Sequence, residues 1–326
     1  SSIRLCVNNR EATPDMWSLD EEGKRIRLNL LPLPAGGAGA RAGSPLEGRE
    51  AYVTLLAGTS LGRKAAAAAR ADLAPPRSPR DEIIYFAMTD RFRDGDSANN
   101  PPASDPRVTP LANYLGGDWA GIRQKIEEGY FERLGVTTLW ISPPYRNTPR
   151  VEQESVEPGR FFTSYHGYWP VSSTETNEAF GSMDDLRGLV AVAHKRRLGV
   201  ILDFVANHVH QDHPLYREHP GWVTPLVLPD GRKNIRLYDE HPLTTWFDTF
   251  LPSLNFKDNR EIRDFMVDNA AFWLRETGAD GFRHDAVKHI PEDFWRQLTA
   301  RLYHEFEREG DRRIYQVGET ISGYDL

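Results

Sequence analysis

Two carboxylates are placed for chemistry by what precedes them. Asp285 closes the run Gly281-Phe282-Arg283-His284, and Glu319 follows Ile314-Tyr315-Gln316-Val317-Gly318. If the two runs are consecutive strands, the carboxyls face one another across a cleft. A pair held about 5–5.5 Å apart can act as nucleophile and acid/base in a retaining glycosidic displacement. Arg283 stands two residues before Asp285 and shares its side of a strand, so its charge is expected to keep Asp285 ionised. Glu319 has no cation beside it in sequence, which suits a carboxyl that must hold its proton near neutral pH. The plainer alternative is that each is a salt-bridged carboxylate at a strand end.

Two further clusters could hold metal. His208-Val209-His210-Gln211-Asp212-His213 spells H-x-H-x-D-H, the spacing of binuclear zinc hydrolases of the metallo-β-lactamase type, and neutral imidazoles after a strand can bind zinc. Against zinc, Pro214-Leu215 stand where a glycine is usual, and the remaining ligands have no evident place. Asp94-Gly95-Asp96-Ser97-Ala98-Asn99-Asn100, with Gly116-Gly117-Asp118 after it, offers hard oxygen ligands suited to calcium. It is not an EF-hand, because Asn99 occupies the sixth position and no Glu stands at the twelfth. An Asx-rich turn without metal is the alternative.

The elements that must position these residues begin near residue 83. Short continuous apolar runs at 83–88, 137–142, 200–205, 281–285 and 314–317 alternate with amphipathic stretches at 119–134, 183–198, 259–277 and 291–310. That pattern predicts parallel strands buried on both faces by helices, in a doubly wound sheet or an eight-stranded barrel. Both place chemistry at the C-terminal ends of strands, where Thr89-Asp90-Arg91, Asn207-His208, Arg283-His284-Asp285 and Glu319 fall. Residues 209–258, rich in His, Pro, Trp and Tyr, read as an inserted domain. Strand-like runs at 3–7, 25–31 and 51–56 predict a small, incomplete β module over 1–62. Residues 63–80 read as a linker with an alanine-rich helical turn at 64–72, and the barrel domain covers 81–326.

Taken together, the segments Asp203-Phe-Val-Ala-Asn207-His208, Gly281-Phe-Arg283-His-Asp285-Ala-Val-Lys288-His289 and Gly318-Glu319 resemble three conserved regions of the α-amylase superfamily, glycoside hydrolase family 13. Tyr165-His166-Gly167-Tyr168-Trp169 resembles its segment after the second strand, and Leu251-Pro-Ser-Leu-Asn255 its short motif in the inserted domain. The resemblance implies a (β/α)8 TIM barrel, of which about five strands lie in this chain. It implies retaining cleavage of α-1,4-glucosidic bonds in starch, glycogen or maltooligosaccharides, with Asp285 as nucleophile and Glu319 as acid/base. His166, His208 and Arg283 would hold the sugar, Tyr168 would stack on it, and Lys288 and His289 would grip the leaving-group side. The family's third carboxylate would come from a strand near the seventh, beyond Leu326. Asp94, Asp96, Asn99, Asn100, Asp118 and the Gly116 carbonyl match the N-terminal calcium loop of cyclodextrin glycosyltransferases, implying Ca2+. A second family calcium site, which would use Asn207 and a carbonyl near His289, is expected to be weak or absent because Ser253 takes the place of its aspartate. Because the amylase motif claims His208, zinc chemistry is the remote alternative. A transglycosylase or cyclodextrin-active enzyme is the nearer one, although Thr320-Ile321, where cyclodextrin-forming enzymes carry aromatics, favours hydrolysis. A carbohydrate-binding scaffold on an inactive fold is disfavoured, since Asp285, Glu319, Arg283 and both histidines are intact.

Composition bounds the remaining choices. The 326 residues are 39% hydrophobic and 27% charged, as in an ordinary globular protein. A net charge of −7 argues against a nucleic-acid partner and fits a neutral glucan or a bound cation. The single cysteine, Cys6, excludes an internal disulfide framework. No apolar stretch approaches the roughly 18 residues of a membrane span, so no membrane partner is expected. The start at Ser1, without Met, is expected to reflect processing or excision, and the expected location is secreted or periplasmic. Five strands would leave apolar edges uncovered, so a C-terminal continuation or a second chain is expected to complete the barrel.

Overall fold

The computed structural model describes residues 81–101, 105–308 and 313–320 in full, and before them the backbone of five N-terminal strands. The chain divides into two compact units, Ser1–Leu73 and Ala74–Leu326. In the first, β1 (Ser2–Val7) pairs antiparallel with both β2 (Arg10–Glu11) and β5 (Val53–Gly58), while β3 (Trp17–Leu19) pairs with β4 (Ile26–Leu28). The helical turn expected at 64–72 and the linker at 63–80 lie outside the described residues.

The second unit is built on β6 (Ile84–Ala87), β7 (Thr138–Ile141), β10 (Gly199–Phe204), β11 (Gly281–His284) and β12 (Tyr315–Gly318), parallel and hydrogen-bonded in that order. A doubly wound sheet reverses its strand order at a switch point, whereas a barrel adds each strand beside the last. The sequential order therefore decides between the two architectures: this is the β/α succession of a TIM barrel over five strands. Val200, Ile201, Leu202 and Phe204 are almost wholly buried, as a strand covered on both faces requires.

Local chemistry sets the helix boundaries. Before α2 (Trp119–Glu127), Asp118 accepts the Gly121 N–H at 2.6 Å, and before α4 (Met183–Lys195), Ser182 and Asp185 form a reciprocal capping box. Asn259 caps α6 (Arg260–Thr277), which stops at Gly278 with φ 73°. Two expected helices are interrupted. The stretch 119–134 breaks at Gly129, φ 69°, so that α3 (Tyr130–Arg133) starts afresh. The stretch 291–310 forms α7 (Glu292–Leu302) and then a wider turn over Tyr303–Glu307. Shorter pieces are α1 (Thr89–Phe92), α5 (Pro214–Glu218) and a two-residue hairpin, β8 (Glu152–Gln153) with β9 (Phe161–Phe162), which has no legible signature in the sequence. Trp119, Trp246 and Trp273 are among the most deeply buried side chains, so much of the aromatic content is core. At the start of β11 the backbone runs so close to β12 that a Cβ on Gly281 would lie 1.8 Å from the Tyr315 carbonyl oxygen.

Candidate active site

The parallel register between β10 and β11 sets Asp203 opposite Arg283. Arg283 Nη1 meets Asp203 Oδ1 at 2.8 Å and Asp285 Oδ1 at 2.9 Å, while Nη2 meets Glu319 Oε1 at 2.7 Å. One guanidinium thus gathers carboxyls from the ends of three adjacent strands. The Tyr168 hydroxyl and the Trp140 indole N–H donate to Asp203 Oδ2 at 2.7 and 3.0 Å, and the guanidinium lies over the Trp140 ring, 4.9 Å from its centroid. The other oxygen of Glu319, Oε2, accepts the Ala286 N–H at 3.4 Å, and Ala286 turns the chain with φ 50° directly after Asp285.

Two sequence-based expectations are corrected by this geometry. Glu319 does have a cation, Arg283, supplied across the sheet rather than along the chain. Arg283 is also opposed at Asp285 by stronger influences that raise it. Burial and the Asp203 carboxyl push Asp285 up to about 8 against the lowering effect of Arg283, and burial likewise pushes Asp203 up to about 6. Two buried carboxyls on a single cation repel one another when both are ionised, so the Asp203–Asp285 pair holds its protons more tightly than free aspartates do. Asp203, within the same motif but given no role, is the member that sequence reasoning missed; its signal was a carboxylate one residue before the end of an otherwise apolar strand.

The expected sugar-binding residues converge nearby. His166 Nδ1 accepts the Tyr168 N–H at 3.0 Å, and burial pushes its ring down to about 3. His208 Nε2 donates to the Tyr168 carbonyl at 2.9 Å, with burial pushing the ring down to about 4. Both rings are therefore neutral at ordinary pH, and with these bonds made His166 has its Nε2 N–H left to donate and His208 its Nδ1 left to accept. His289 Nδ1 donates to the Pro242 carbonyl at 2.6 Å, and Phe247 packs against both His208 and His289, with ring centroids 5.3 and 5.2 Å away. Lys288 is exposed on the short helical turn Val287–His289.

The zinc reading is overturned. His210 Nδ1 accepts the Asp212 N–H, leaving Nε2 to donate to Glu152 Oε1 at 3.1 Å. His213 Nδ1 accepts the Leu215 N–H, and its Nε2 lies 3.0 Å from Ser173 Oγ. These imidazoles are consumed by loop backbone and neighbouring side chains. Among the described residues no three His, Cys, Asp or Glu side chains are gathered to hold a metal. That applies equally to Asp94, Asp96 and Asp118: buried Asp118 accepts N–H groups from Gly95, Asp96 and Gly121, and Asn100 donates to Asp94. The loop nevertheless offers only oxygen to a hard cation, and Asn99 Oδ1 is buried there without a partner. Gly116, φ 87°, leaves room that a Cβ would take from the Asn100 amide. At the second expected site the Ser253 hydroxyl donates to the Thr245 carbonyl at 2.7 Å, and Asn207 Nδ2 is buried without a partner.

The family described as "Alpha amylase, catalytic domain" matches residues 86–222. A cyclomaltodextrin glucanotransferase of Thermoanaerobacterium thermosulfurigenes is 38% identical over 258 residues, covering 74% of this chain and 35% of that protein. An α-amylase of Niallia circulans is 35% identical over 296 residues, covering 84% and 53%. The structure of an α-amylase from Geobacillus thermoleovorans, complexed with acarbose, aligns with a TM-score of 0.59 at 32% identity over 76% of this chain and 48% of that one. The chain spans between about a third and a half of the length of these relatives.

Proposed function

Because this chain belongs to the α-amylase superfamily, we propose that it supplies the nucleophile and acid/base of a retaining glycosidase acting on α-1,4-glucosidic bonds in starch, glycogen or maltooligosaccharides. The observation that carries the reading is the bridging of Asp285 and Glu319 by one guanidinium, which holds both carboxyls on a single cation at the ends of adjacent strands; the retaining stereochemistry follows from the family likeness. In the reacting arrangement Asp285 is the carboxylate and the proton stands on Glu319; in the first displacement an Asp285 oxygen attacks the anomeric carbon while Glu319 gives its proton to the departing glycosidic oxygen. A glycosyl ester on Asp285 and a free glucan alcohol result. In the second, Glu319 takes a proton from water as that water attacks the same carbon, the ester bond breaks, and Asp285 is released as carboxylate. Between the two steps the charge on Glu319 faces Arg283. His166 and His208 hold sugar hydroxyls as neutral imidazoles, Tyr168 offers its ring to the apolar sugar face, and Lys288 and His289 take the leaving-group side.

We assign Ca2+ to the loop of Asp94, Asp96, Asn99, Asn100, Gly116 and Asp118, supported by its all-oxygen donor chemistry and the unpartnered Asn99 Oδ1. The ion would brace the loop that precedes α2 and supplies no reacting group. Glucosyl transfer is the second reading, favoured by the several cyclomaltodextrin glucanotransferases among the relatives. Incubation with maltoheptaose tests both. Asp285→Asn is expected to release no reducing sugar, and retention of wild-type turnover refutes the assignment. Cyclic or elongated products from the unaltered protein establish transfer in place of hydrolysis.

A further inference from the structure

A conformationally costly arginine holds the wall of the cleft. Arg236 has φ 52°, in the left-handed region that a side chain bearing a Cβ seldom occupies. Four contacts keep it there. Its backbone N–H donates to the Trp246 carbonyl at 2.8 Å, its Nε donates to the Phe247 carbonyl at 2.9 Å, and its Nη2 meets Glu154 Oε1 at 2.8 Å and Asp248 Oδ2 at 3.4 Å. Glu154 follows β8, and Asp248, buried, also accepts the Ser155 N–H at 3.2 Å. Arg236 therefore ties the hairpin after β7 to the inserted segment through the Nε and Nη2 of one guanidinium. Phe247, whose carbonyl it holds, is half-buried, and its ring packs between His208 and His289.

We propose that Arg236 is a positioning residue that fixes Phe247 as the aromatic wall of the glucan site between His208 and His289, and so sets affinity for the sugar chain without touching the bond that breaks. The inference rests on the glucan-binding reading above. The guanidinium's fork is required: a lysine at 236 can pair with Glu154 but has no second nitrogen for the Phe247 carbonyl.

The test measures maltoheptaose binding by calorimetry in the Asp285→Asn background, where no turnover interferes, and KM and kcat in the active protein. Arg236→Lys is expected to weaken binding and raise KM about tenfold with kcat within about twofold. Phe247→Leu is expected to do the same, and the double variant to be no weaker than the weaker single, because both remove one wall. Glu154→Gln, which leaves the Nε contact in place, keeps binding within about threefold and serves should Arg236→Lys not fold. Unchanged binding in Arg236→Lys or Phe247→Leu, or losses that multiply in the double variant, overturn the inference. Absence of maltoheptaose binding by the parent overturns it together with the glucan reading, whereas full turnover by Asp285→Asn sinks only the nucleophile assignment.

Discussion

Replacing Asp285 by Asn should stabilise the protein while abolishing its turnover. Asp285 is 7% exposed and shares Arg283 with Asp203 and Glu319. Burial, then the Asp203 carboxyl, raise it to about 8, against roughly 4 for an aspartate in an unfolded chain. The sign follows from proton linkage. Between pH of about 4 and about 8 the folded chain holds a proton that the unfolded chain has released, so stability falls as pH rises through that window and is level outside it. At about 1.4 kcal/mol for each tenfold change in proton affinity, the gap from about 4 to about 8 sets a ceiling of about 5.5 kcal/mol. Asp203 is raised as well and shares the proton, so about 2 kcal/mol is the expected share of Asp285 itself. Asparagine keeps the shape and cannot ionise. Asp285→Asn is therefore expected to match the parent at pH 4 and to exceed it at pH 8 by about 4–8 °C in Tm, at roughly 2–4 °C per kcal/mol for a domain of this size. Circular dichroism melts at unit pH steps from 4 to 8 read this directly. Parallel curves for the two proteins, or a less stable variant at pH 8, refute the reasoning.

Three further outcomes are expected. Glu319→Gln should lose nearly all activity on maltoheptaose but keep measurable glycosyl release from α-maltosyl fluoride, whose leaving group needs no proton; equal loss on both substrates counts against the acid role. Asp203→Ala leaves the Tyr168 hydroxyl, the Trp140 N–H and part of Arg283 buried without their acceptor, and should lower stability by about 3 kcal/mol in chemical denaturation. A change under about 0.5 kcal/mol would show that Asp203 is not the anchor. Removing calcium with EDTA should lower Tm by several degrees, reversed by added CaCl2, and Asp118→Ala should abolish that response while losing about 1 kcal/mol of helix capping on its own account. A Tm indifferent to both reagents removes the ion from the loop.

The strands were legible because parallel strands buried on both faces read as apolar runs, as residues 83–88 do throughout and residues 200–205 do apart from Asp203. The helix break at Gly129 was harder to see, since a lone glycine in an amphipathic stretch costs only about 1 kcal/mol when it stays helical. Residue types placed Asp285, Glu319 and the histidines at one cleft, yet they misjudged the charges. Neighbours along a chain say little about neighbours across a parallel sheet, and the Arg283 partners Asp203 and Glu319 are 80 and 36 positions away in sequence. The H-x-H-x-D-H spacing misled for a related reason. Whether an imidazole is available to a metal depends on which backbone N–H its ring nitrogen has already taken, and the Asp212 and Leu215 amides occupy those of His210 and His213.

The shared guanidinium also bears on how the sheet finds its alignment. Asp203 and Arg283 lie opposite one another in the register between β10 and β11, and Glu319 reaches the same cation from the end of β12. A slip of one residue between any two of these strands would turn the charged side chain to the helix-covered face, where it meets hydrocarbon. Each misaligned sheet would thus bury at least one uncompensated ion, at a cost of several kcal/mol, while the apolar residues around it would accept the slip with little protest. The cation and carboxyls of the cleft therefore also act as a check on assembly: a sheet with mispaired strands carries an unmatched buried ion and is disfavoured against the aligned one.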